Sequence, residues 1–536
     1  MALSQKTNTR LQILKTQENL FFYPHQAVQK AYERIYKKGE TQVGWPKGVE
    51  RYKENYVDNT CAFVGIALGD EGKGRLVDNK IEEMLQNPGI EKVYVIRWNG
   101  GNNAGHTIEK DGIKIALHSL PSFPLHKKAI GIIDRGTAVN PQDFVDELLY
   151  VEQKTESLKK RIYISGDAIL LTDLEKAEEE LNNGIAQKSK GGTGRGIAPA
   201  YAHKLDRKGL MISDLMAENW KEKLEKYYDD RKTMFKAYRK DLDKCLVADF
   251  GGTKRTGHQQ KREIGSKEQF IKRLAEARAF LQERKIATNT RLVHNSIYRN
   301  PKIGVIFEGA QAIGLHPELG TYPDVTSSNP TLEGIRGGTG VWLPNEIKDK
   351  VGVFKLTYMS SVGSRKEAMP TYISLPEKEI TKTAGLNTEQ LRALFVRNVA
   401  NEKGTSTGRY RDIYHLDLEM MRYNLRMSGG VEVLTATHVD IAQEKETIKV
   451  CTHYTDENGA YMPYQPGLNY IKNAKPHYVK LPGWDGKACT KAKCFEDLPQ
   501  NAIKFLAFVQ EMTGYPITIA TNGPLRKNII YIKTNK

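Results

Sequence analysis

The segment 69–75 combines three glycines, one lysine and two carboxylates, and it directly follows the apolar stretch 62–68. A strand that ends in such a turn and leads into a helix exposes free backbone N–H groups, which bind phosphate together with a lysine. The spacing differs from a Walker A loop, because the first glycine of that motif would fall at Ala67 and its magnesium-binding hydroxyl at Gly74. The segment therefore predicts a phosphate site in which Asp70 is the nearby candidate to hold the metal.

Other clusters of glycines and polar side chains have the same character. The segment 99–107 has three asparagines, three glycines and His106, whose imidazole exchanges protons near neutral pH. In 404–411, Arg409 and Arg411 suit carboxylate or phosphate groups that are held by paired hydrogen bonds. Further clusters of this kind are 191–196, 308–311 and 321–329. Each cluster by itself is also compatible with an ordinary turn.

Short β-rich runs alternate with helical patterns such as 76–85 and 171–181, an order typical of an α/β domain. We expect a P-loop-like nucleotide-binding fold with a large, mainly parallel central sheet and helical insertions. Phosphate sites in such folds lie at the carboxyl ends of strands, where the segment 69–75 also falls. The runs predicted as strands are 61–68, 92–98, 129–134, 161–166, 303–308, 351–359, 431–437 and 516–520.

Two stretches lie outside this alternation. Residues 1–57 are polar with scattered aromatic residues and no clean periodicity, so we interpret them as an N-terminal extension to a catalytic domain that spans 58–536. Residues of about 216–295 have long, charged helical patterns, which predict a helical insertion in that domain.

The composition bounds the class of protein. The chain has 536 residues, 39% of them hydrophobic, which is enough for a large core, and it has no apolar run of the ~18 residues that a membrane helix needs. Its five cysteines lack the spacing of a metal site or a disulfide scaffold, so we expect a cytoplasmic protein without membrane association. The net charge of +17 is spread along the chain, which favours polyphosphate substrates over specific nucleic-acid binding.

Taken in order, these clusters resemble the motifs of the adenylosuccinate synthetase family over residues of about 60–530. Chance agreement of so many ordered motifs is not credible. The matching segments are GDEGKG at 69–74, GGNNAGHT at 100–107, TGRGIAPAY at 193–201, FEGAQ at 307–311, GTYPDVTSSN at 320–329, the pair 362–363, STGRYR at 406–411 and NGPLR at 522–526.

The resemblance implies a ligase of purine biosynthesis that works as a homodimer with Mg²⁺. In that family GTP phosphorylates the 6-oxygen of IMP, and the amino group of L-aspartate then displaces the phosphate to give adenylosuccinate. The catalytic residues implied are Asp70, as the base that removes the N1 proton, His106, as the acid between the 6-oxygen and the γ-phosphate, and Lys73. Mg²⁺ would be held by Asp70 and by the carbonyl oxygen of Gly105.

The resemblance also implies the substrate contacts, with Arg207 reaching into the site of the neighbouring subunit. Nucleotide phosphates would be bound by Gly69, Glu71, Gly72, Lys73, Gly74, Gly105, His106, Thr107 and Arg411. IMP would be bound by Asp70, Asn103, Thr193, Arg207, Gln311, Thr326, Val362 and Arg409. Aspartate would be bound by Ser406, Thr407 and Arg409, and the guanine base by His438, Asp440, Asn522, Gly523 and Pro524.

Departures from the family pattern leave alternatives open. His438 stands where the family has a lysine that stacks on guanine, so ATP or dATP stays open as the phosphate donor. The loop 364–372 differs from the glycine- and phenylalanine-rich family sequence near the sugar and base. A phage branch of the family acts on dGMP to form N6-succino-2-amino-deoxyadenylate, but it tends to lose the carboxylate that this chain keeps at Asp70. A non-catalytic nucleotide- or nucleic-acid-binding paralogue would be expected to lose Asp70, Lys73 or His106, and all three are present.

Overall fold

The computed structural model describes residues 25–41, 43–44, 56–185, 193–249, 260–361, 369–375, 385–404 and 410–532. Its frame is a ten-stranded sheet. In chain order the strands are β1 (Val57–Gly65), β2 (Lys92–Arg97), β3 (Ala129–Ile133), β4 (Ile162–Ser165), β5 (Ala287–Thr288), β6 (Ile303–Ala312), β7 (Ile347–Lys355), β8 (Val433–Thr437), β9 (Ile517–Thr521) and β10 (Ile529–Tyr531).

Across the sheet the strands follow the order β5–β4–β3–β2–β6–β1–β7–β8–β9–β10. All neighbours are parallel except β9 and β10. The predicted α/β fold with a large, mainly parallel sheet is therefore confirmed. Strand β1 begins at Val57 and ends at Gly65, so both of its ends lie earlier than those of the predicted run 61–68. It ends early because the backbone bends at 66–69, before the helix that begins at Lys73.

Helices cover both faces of the sheet, and the side chains of β1 alternate between two hydrophobic cores. Cys61 and Phe63 belong to one core, and Ala62 and Val64 belong to the other.

Within the described ranges, no helix combines the length and the apolar character needed to cross a membrane. The helices are α1 (His25–Tyr32), α2 (Lys73–Gln86), α3 (Pro141–Glu152), α4 (Asp173–Ile185), α5 (Ile197–Leu205), α6 (Ile212–Met216), α7 (Trp220–Ala237), α8 (Lys267–Glu283), α9 (Thr290–Ile297), α10 (Glu333–Thr339), α11 (Thr388–Val399), α12 (Leu418–Arg426), α13 (Leu468–Ile471), α14 (Gly486–Lys491) and α15 (Gln500–Thr513).

A second, six-stranded sheet lies beside the main one. The predicted run 351–359 is wrong in one respect, because the chain turns after β7 and enters this second sheet as a separate strand. The strands of the second sheet are Tyr358–Ser361, Tyr372–Ile373, Asp412–Asp417, Thr447–Thr455, Tyr461–Met462 and Lys475–Pro482. The smaller strand pairs are His106–Lys110 with Ile113–Leu117, Ala138–Val139 with Ile169–Leu170, and Leu246–Asp249 with Gln260–Glu263.

The stretch 216–295 contains α7, α8 and α9, as its charged helical patterns predict. It also contains β5, which pairs with β4 at the edge of the main sheet through Ala287 and Thr288. The stretch is therefore a helical insertion that also supplies one edge strand of the main sheet.

The described part of the N-terminal extension packs on the last helix of the chain. Val28, Ala31 and Ile35 are buried, and the ring of Tyr36 meets that of Phe508 in α15 edge to face, with centroids 6.4 Å apart. Helix α1 continues into a π-helical turn, Glu33–Lys37, and its buried residues recur at helical spacing, so the interpretation of 1–57 as lacking periodicity does not hold for this part.

Candidate active site

The turn 69–74 links the carboxyl end of β1 to α2. Gly69, Asp70 and Gly72 have φ angles of +101°, +58° and +88°, in the left-handed region that glycine and, less often, aspartate adopt. Helix α2 begins at Lys73, so the N–H groups of its first turn have no partner within the helix and can bind an anion. The backbone thus has the shape that the sequence predicts for a phosphate-binding turn.

Glu71 stabilises the turn itself. Its buried carboxylate accepts a hydrogen bond from the N–H of Gly69 at 2.8 Å and pairs with Lys73 Nζ at 2.9 Å. A Cβ at Gly65 would lie 2.4 Å from Glu71 Oε2, so this close approach requires a glycine. The part of Glu71 that can contact a phosphate is therefore its backbone N–H, and the ion pair with Glu71 holds Lys73 at the turn.

A cavity of about 500 Å³ lies at this turn. Its wall includes six lysine or arginine side chains and four carboxylates, a balance that suits a polyphosphate. Four of these cations lie outside the matched motifs, so the sequence does not predict them as site residues. They are Arg75, Arg97, Lys114 and Lys403. The predicted site residues that line the cavity are Asp70, Glu71, Gly72, Lys73, Gly74, Gly105, His106, Thr107, Arg411, His438, Asp440, Gly523 and Pro524.

His106 presents its imidazole to the cavity. Its Nε2 lies 3.6 Å from Glu308 Oε1 and has no hydrogen-bond partner in the described part of the chain. Burial lowers the pKa of His106 well below its usual value, and the charges of Arg97 and Lys73 act in the same direction. Glu308 is fixed by Ser122, whose N–H and Oγ both donate to it at 2.8 Å. At pH 7 this structure therefore holds a neutral imidazole with one nitrogen available to a ligand.

Asp70 and Arg411 form an ion pair in the wall of the cavity, with Arg411 Nε 2.9 Å from Asp70 Oδ2. The same guanidinium donates from Nη1 to the buried Glu402 at 2.7 Å. The side chain of Asp70 remains 28% exposed, whereas that of Glu402 is 1% exposed. Asp70 is therefore the partner of Arg411 that a substrate can reach.

The donor groups near Asp70 fit Mg²⁺. This ion usually takes one or two protein ligands in phosphate-transferring enzymes and completes its octahedron with phosphate oxygens and water. Asp70 supplies a carboxylate and Gly105 a backbone carbonyl, and both residues line the cavity. The described residues contain no group of three or more histidine, cysteine or acidic side chains that could enclose a metal ion. A site shared between the protein and a nucleotide is thus the arrangement that these residues support.

A network of amide side chains lies at the carboxyl ends of β2 and β6. Asn99 Nδ2 donates to Gln311 Oε1 at 3.2 Å and to Ser328 Oγ at 3.1 Å, and Ser328 Oγ donates to Gln311 Oε1 at 3.0 Å. Gln311 Nε2 donates in turn to Asn103 Oδ1 at 3.4 Å. The predicted IMP residues Asn103 and Gln311 are therefore in contact, and Asn99 and Ser328, for which no role was predicted, fix the orientation of Gln311. Thr326 Oγ1 is buried without a partner among the described residues.

Of the remaining residues predicted to contact IMP or aspartate, the structure describes Thr193 and Arg207 but not the others. Thr193 precedes a turn in which the N–H groups of Gly194 and Gly196 donate to Glu179. Arg207 is exposed just after α5, with a φ angle of +61°, and it does not line the cavity of its own chain. Val362, Ser406, Thr407 and Arg409 lie outside the described residues.

His438 and Asp440 form the end of the cavity that follows β8. The imidazole Nδ1 of His438 lies 2.9 Å from Thr437 Oγ1, and its ring meets Tyr358 edge to face at 5.9 Å. Burial lowers the pKa of His438 to about 3, so this ring is neutral at pH 7. Burial raises the pKa of Asp440, and the nearby charge of Arg75 partly offsets that effect.

Asn522 does not line the cavity, although the sequence predicts it as a guanine contact. Its Nδ2 donates to the carbonyl oxygens of Cys489 and Ala492, so this side chain fixes the end of α14. The next two residues, Gly523 and Pro524, do line the cavity. The motif therefore reaches the site through its backbone and its proline ring.

Comparison with known proteins gives one consistent result. The family model described as adenylosuccinate synthetase matches residues 62–530. The adenylosuccinate synthetase of Halothermothrix orenii is 32% identical over 469 residues, which cover 87% of this chain and 97% of that protein. The enzyme of the same name from Chlorobaculum parvum is 33% identical over 480 residues, with 88% and 97% covered.

Two solved structures are also similar. The structure of fully ligated adenylosuccinate synthetase from Plasmodium falciparum has a TM-score of 0.72 and 27% identity, and the match covers 89% of this chain and 100% of that chain. The succinoaminodeoxyadenylate synthetase of cyanophage S-2L, bound to dGMP and dATP, has a TM-score of 0.48 and 14% identity, with 89% and 96% covered. The second similarity is too low to bear on substrate choice.

Proposed function

Because the chain belongs to the adenylosuccinate synthetase family, we propose that the cavity at the turn 69–74 is the site in which IMP, GTP and L-aspartate react. The protein is a carbon–nitrogen ligase of purine biosynthesis, and it joins aspartate to C6 of IMP in a GTP-dependent reaction that yields adenylosuccinate, GDP and phosphate. The observation that most supports this site is that Asp70, Lys73, His106 and Arg411 line one cavity.

Asp70 is the general base of the first step. It takes the proton from N1 of the hypoxanthine ring, and the electron pair moves to the 6-oxygen, which is otherwise a weak nucleophile. The 6-oxygen then forms a bond to the γ-phosphorus while the bond from that phosphorus to the bridging oxygen of GDP breaks. General-base assistance of this kind typically contributes ~10²–10⁴-fold.

Positive charge and hydrogen-bond donors stabilise this phosphoryl transfer. Lys73 and the N–H groups of 70–74 bind phosphate oxygens, whereas the N–H of Gly69, also predicted as a phosphate contact, donates to Glu71. His106 acts between the 6-oxygen and the γ-phosphate, and Arg411 faces the GTP phosphates. Mg²⁺, held by Asp70 and the carbonyl oxygen of Gly105, would supply further neutralisation of the phosphate charge. In the second step the aspartate amino group attacks C6, and a C–N bond forms while the bond from C6 to the phosphorylated oxygen breaks. The amino group loses one proton, and inorganic phosphate leaves.

An absorbance assay of aspartate-dependent succinylation tests the proposed function. IMP, GMP and dGMP are each offered with GTP or ATP, and we expect IMP with GTP to give product. Asp440 can accept hydrogen bonds from both N1–H and N2–H of guanine, which adenine cannot supply, so kcat/KM with ATP should be at least about tenfold lower.

The controls of this assay separate the alternatives. Omission of aspartate should abolish the absorbance change while the protein still binds nucleotide. A preference for dGMP over IMP would assign the chain to the phage type of reaction. If the protein binds nucleotides but forms no product with any combination of acceptor and phosphate donor, it is a non-catalytic paralogue.

We infer that the working unit is a homodimer in which Arg207 acts in the partner's site. The support is that Arg207 is exposed outside its own cavity. Arg207→Ala and Asp70→Asn subunits should each be inactive alone, but a heterodimer rebuilds one native site of two. After random exchange of equal amounts, about a quarter of the wild-type activity should return.

Arg239 provides a matched control for this mixing experiment, because it is also an exposed arginine with a left-handed backbone, at a φ angle of +56°. Arg239→Ala should stay close to wild-type activity without any partner. Absence of regained activity in an Arg207→Ala and Asp70→Asn mixture that is shown to exchange subunits would overturn the assignment in trans.

A further inference from the structure

One buried carboxylate, Glu402, gathers four side-chain donors. Lys355 Nζ lies 2.6 Å from its Oε1, and the hydroxyl of Tyr358 donates to the same oxygen at 2.6 Å. Its Oε2 accepts from Ser360 Oγ at 3.0 Å and from Arg411 Nη1 at 2.7 Å. All five side chains are buried, so this network is almost free of competition from water.

The network ends at the proposed general base. Arg411 binds Glu402 through Nη1, and its backbone N–H also donates to the Glu402 carbonyl oxygen at 3.0 Å. The opposite edge of the guanidinium, at Nε, lies 2.9 Å from Asp70 Oδ2. Glu402 thus fixes Arg411 at two points and leaves Nε beside Asp70 as an ion pair, in which Nε makes no hydrogen bond to a described residue.

Glu402 is ionised in this setting. Burial would raise its pKa, but the charges of Lys355 and Arg411 outweigh burial and hold the pKa of Glu402 well below its usual value. Arg411 lines the cavity, whereas Glu402 is not among the described residues that do so. Arg411 is therefore the lining residue that Glu402 contacts directly, while the charge of Glu402 also reaches His438.

We propose that Glu402 is a positioning residue for the ligation, which holds the guanidinium of Arg411 where it meets both Asp70 and the phosphates of the donor nucleotide. This inference rests on the proposed function of the cavity. Arginine has many rotamers, and a side chain already ordered by Glu402, which Tyr358 and Lys355 hold in turn, loses less conformational freedom when it binds a phosphate. Without the carboxylate, the buried cations Lys355 and Arg411 would repel each other, and the guanidinium of Arg411 would move away from its position.

A double-mutant cycle between Glu402→Gln and Arg411→Lys tests the proposal. The glutamine keeps the shape of the side chain, and we expect kcat to fall about 10- to 100-fold, the usual loss when a group that orients an active-site residue is removed. In the Arg411→Lys background the same change should have little further effect, because the guanidinium that Glu402 holds is already replaced. Losses that multiply in the double variant, or a Glu402→Gln enzyme with wild-type kcat, would overturn the proposal.

Glu419 is the matched control. It is also a buried carboxylate, paired with Arg422 and accepting a hydrogen bond from the hydroxyl of Tyr461 at 2.8 Å, but it does not line the cavity. Glu419→Gln should lower the melting temperature and leave kcat unchanged. If Glu402→Gln does not fold, Tyr358→Phe replaces it in the cycle, with an expected loss of about threefold that disappears in the Arg411→Lys background.

A second readout separates this proposal from the proposed function. The four proteins of the cycle are titrated with a non-hydrolysable GTP analogue by calorimetry, where Glu402→Gln should weaken binding only when Arg411 is present. If Glu402→Gln weakens binding of the analogue equally with arginine or lysine at position 411, the positioning role is overturned, whether or not the protein forms adenylosuccinate. A wild-type protein that binds the analogue but forms no adenylosuccinate would count against the proposed function alone.

Discussion

Asp70→Asn should lower turnover with IMP by ~10³-fold or more, about 4 kcal/mol of activation free energy. An amide has nearly the shape of the carboxylate but cannot accept the N1 proton, so the 6-oxygen stays a weak nucleophile. The backbone at Asp70 has a φ angle of +58°, a conformation that asparagine adopts readily, so the turn should keep its shape. Single-turnover kinetics would separate this loss from binding of the monophosphate, which should change far less.

Asp111 offers a control for the same chemical change, since it is an exposed aspartate with a φ angle of +51°. Asp111→Asn should retain wild-type turnover. An Asp70→Asn enzyme within about tenfold of wild type on its best substrate has lost only ~1.4 kcal/mol, which would exclude the general-base role. Substantial activity of that variant on dGMP would instead favour the phage type of reaction, which manages without this carboxylate.

His106→Ala should lower turnover by ~10²-fold or more and leave IMP binding largely intact, because the interaction that it removes forms mainly in the transition state. The side chain borders Gly74, where an added Cβ would lie 3.1 Å from His106 Cβ, so the ring is packed against the start of α2. Isothermal titration with IMP and steady-state kinetics would measure the two effects. His477→Ala, a change of an exposed histidine away from the cavity, should alter neither.

The pH profile gives an independent check on His106. The pKa of His106 is lowered by burial and by the charges of Arg97 and Lys73. Bound phosphates carry negative charge and should raise this pKa. A donating imidazolium is present only below its pKa, so kcat should fall as the pH rises through the value of the complex. That alkaline limb should be missing in His106→Ala, and its persistence would show that another group donates the proton.

The sequence predicted those parts of the fold and site that depend on local pattern. Apolar runs predict eight of the ten strands of the main sheet, but not the short strands β5 and β10. The glycines of 69–74 predict the turn, because backbone conformations of this kind need particular residue types nearby in sequence. Asp70, Lys73 and His106 lie in matched motifs, and the structure places all three in one cavity.

What the sequence did not predict depends on contacts between distant segments. Glu402 has no pattern of its own, since its partners Lys355 and Tyr358 lie in β7 and in the second sheet. Asn522 lies in a motif that implies a ligand contact, but its Nδ2 donates to two backbone carbonyl oxygens that the motif does not reveal. Motif matching assigns a residue to a site, and only the fold decides which of its atoms face the ligand.

The strand order also determines when the active site can form during synthesis. Strand β1, which carries the turn 69–74, lies between β6 and β7, and β7 ends at Lys355, about 290 residues after β1 ends at Gly65. At about 5–20 residues per second, the ribosome needs roughly 15–60 s to produce that length. Until β6 has been made, β1 lacks both of its neighbours, and until β7 has been made one edge of β1 stays unpaired. The nascent chain therefore exposes an apolar strand that is prone to aggregation before its binding site is complete.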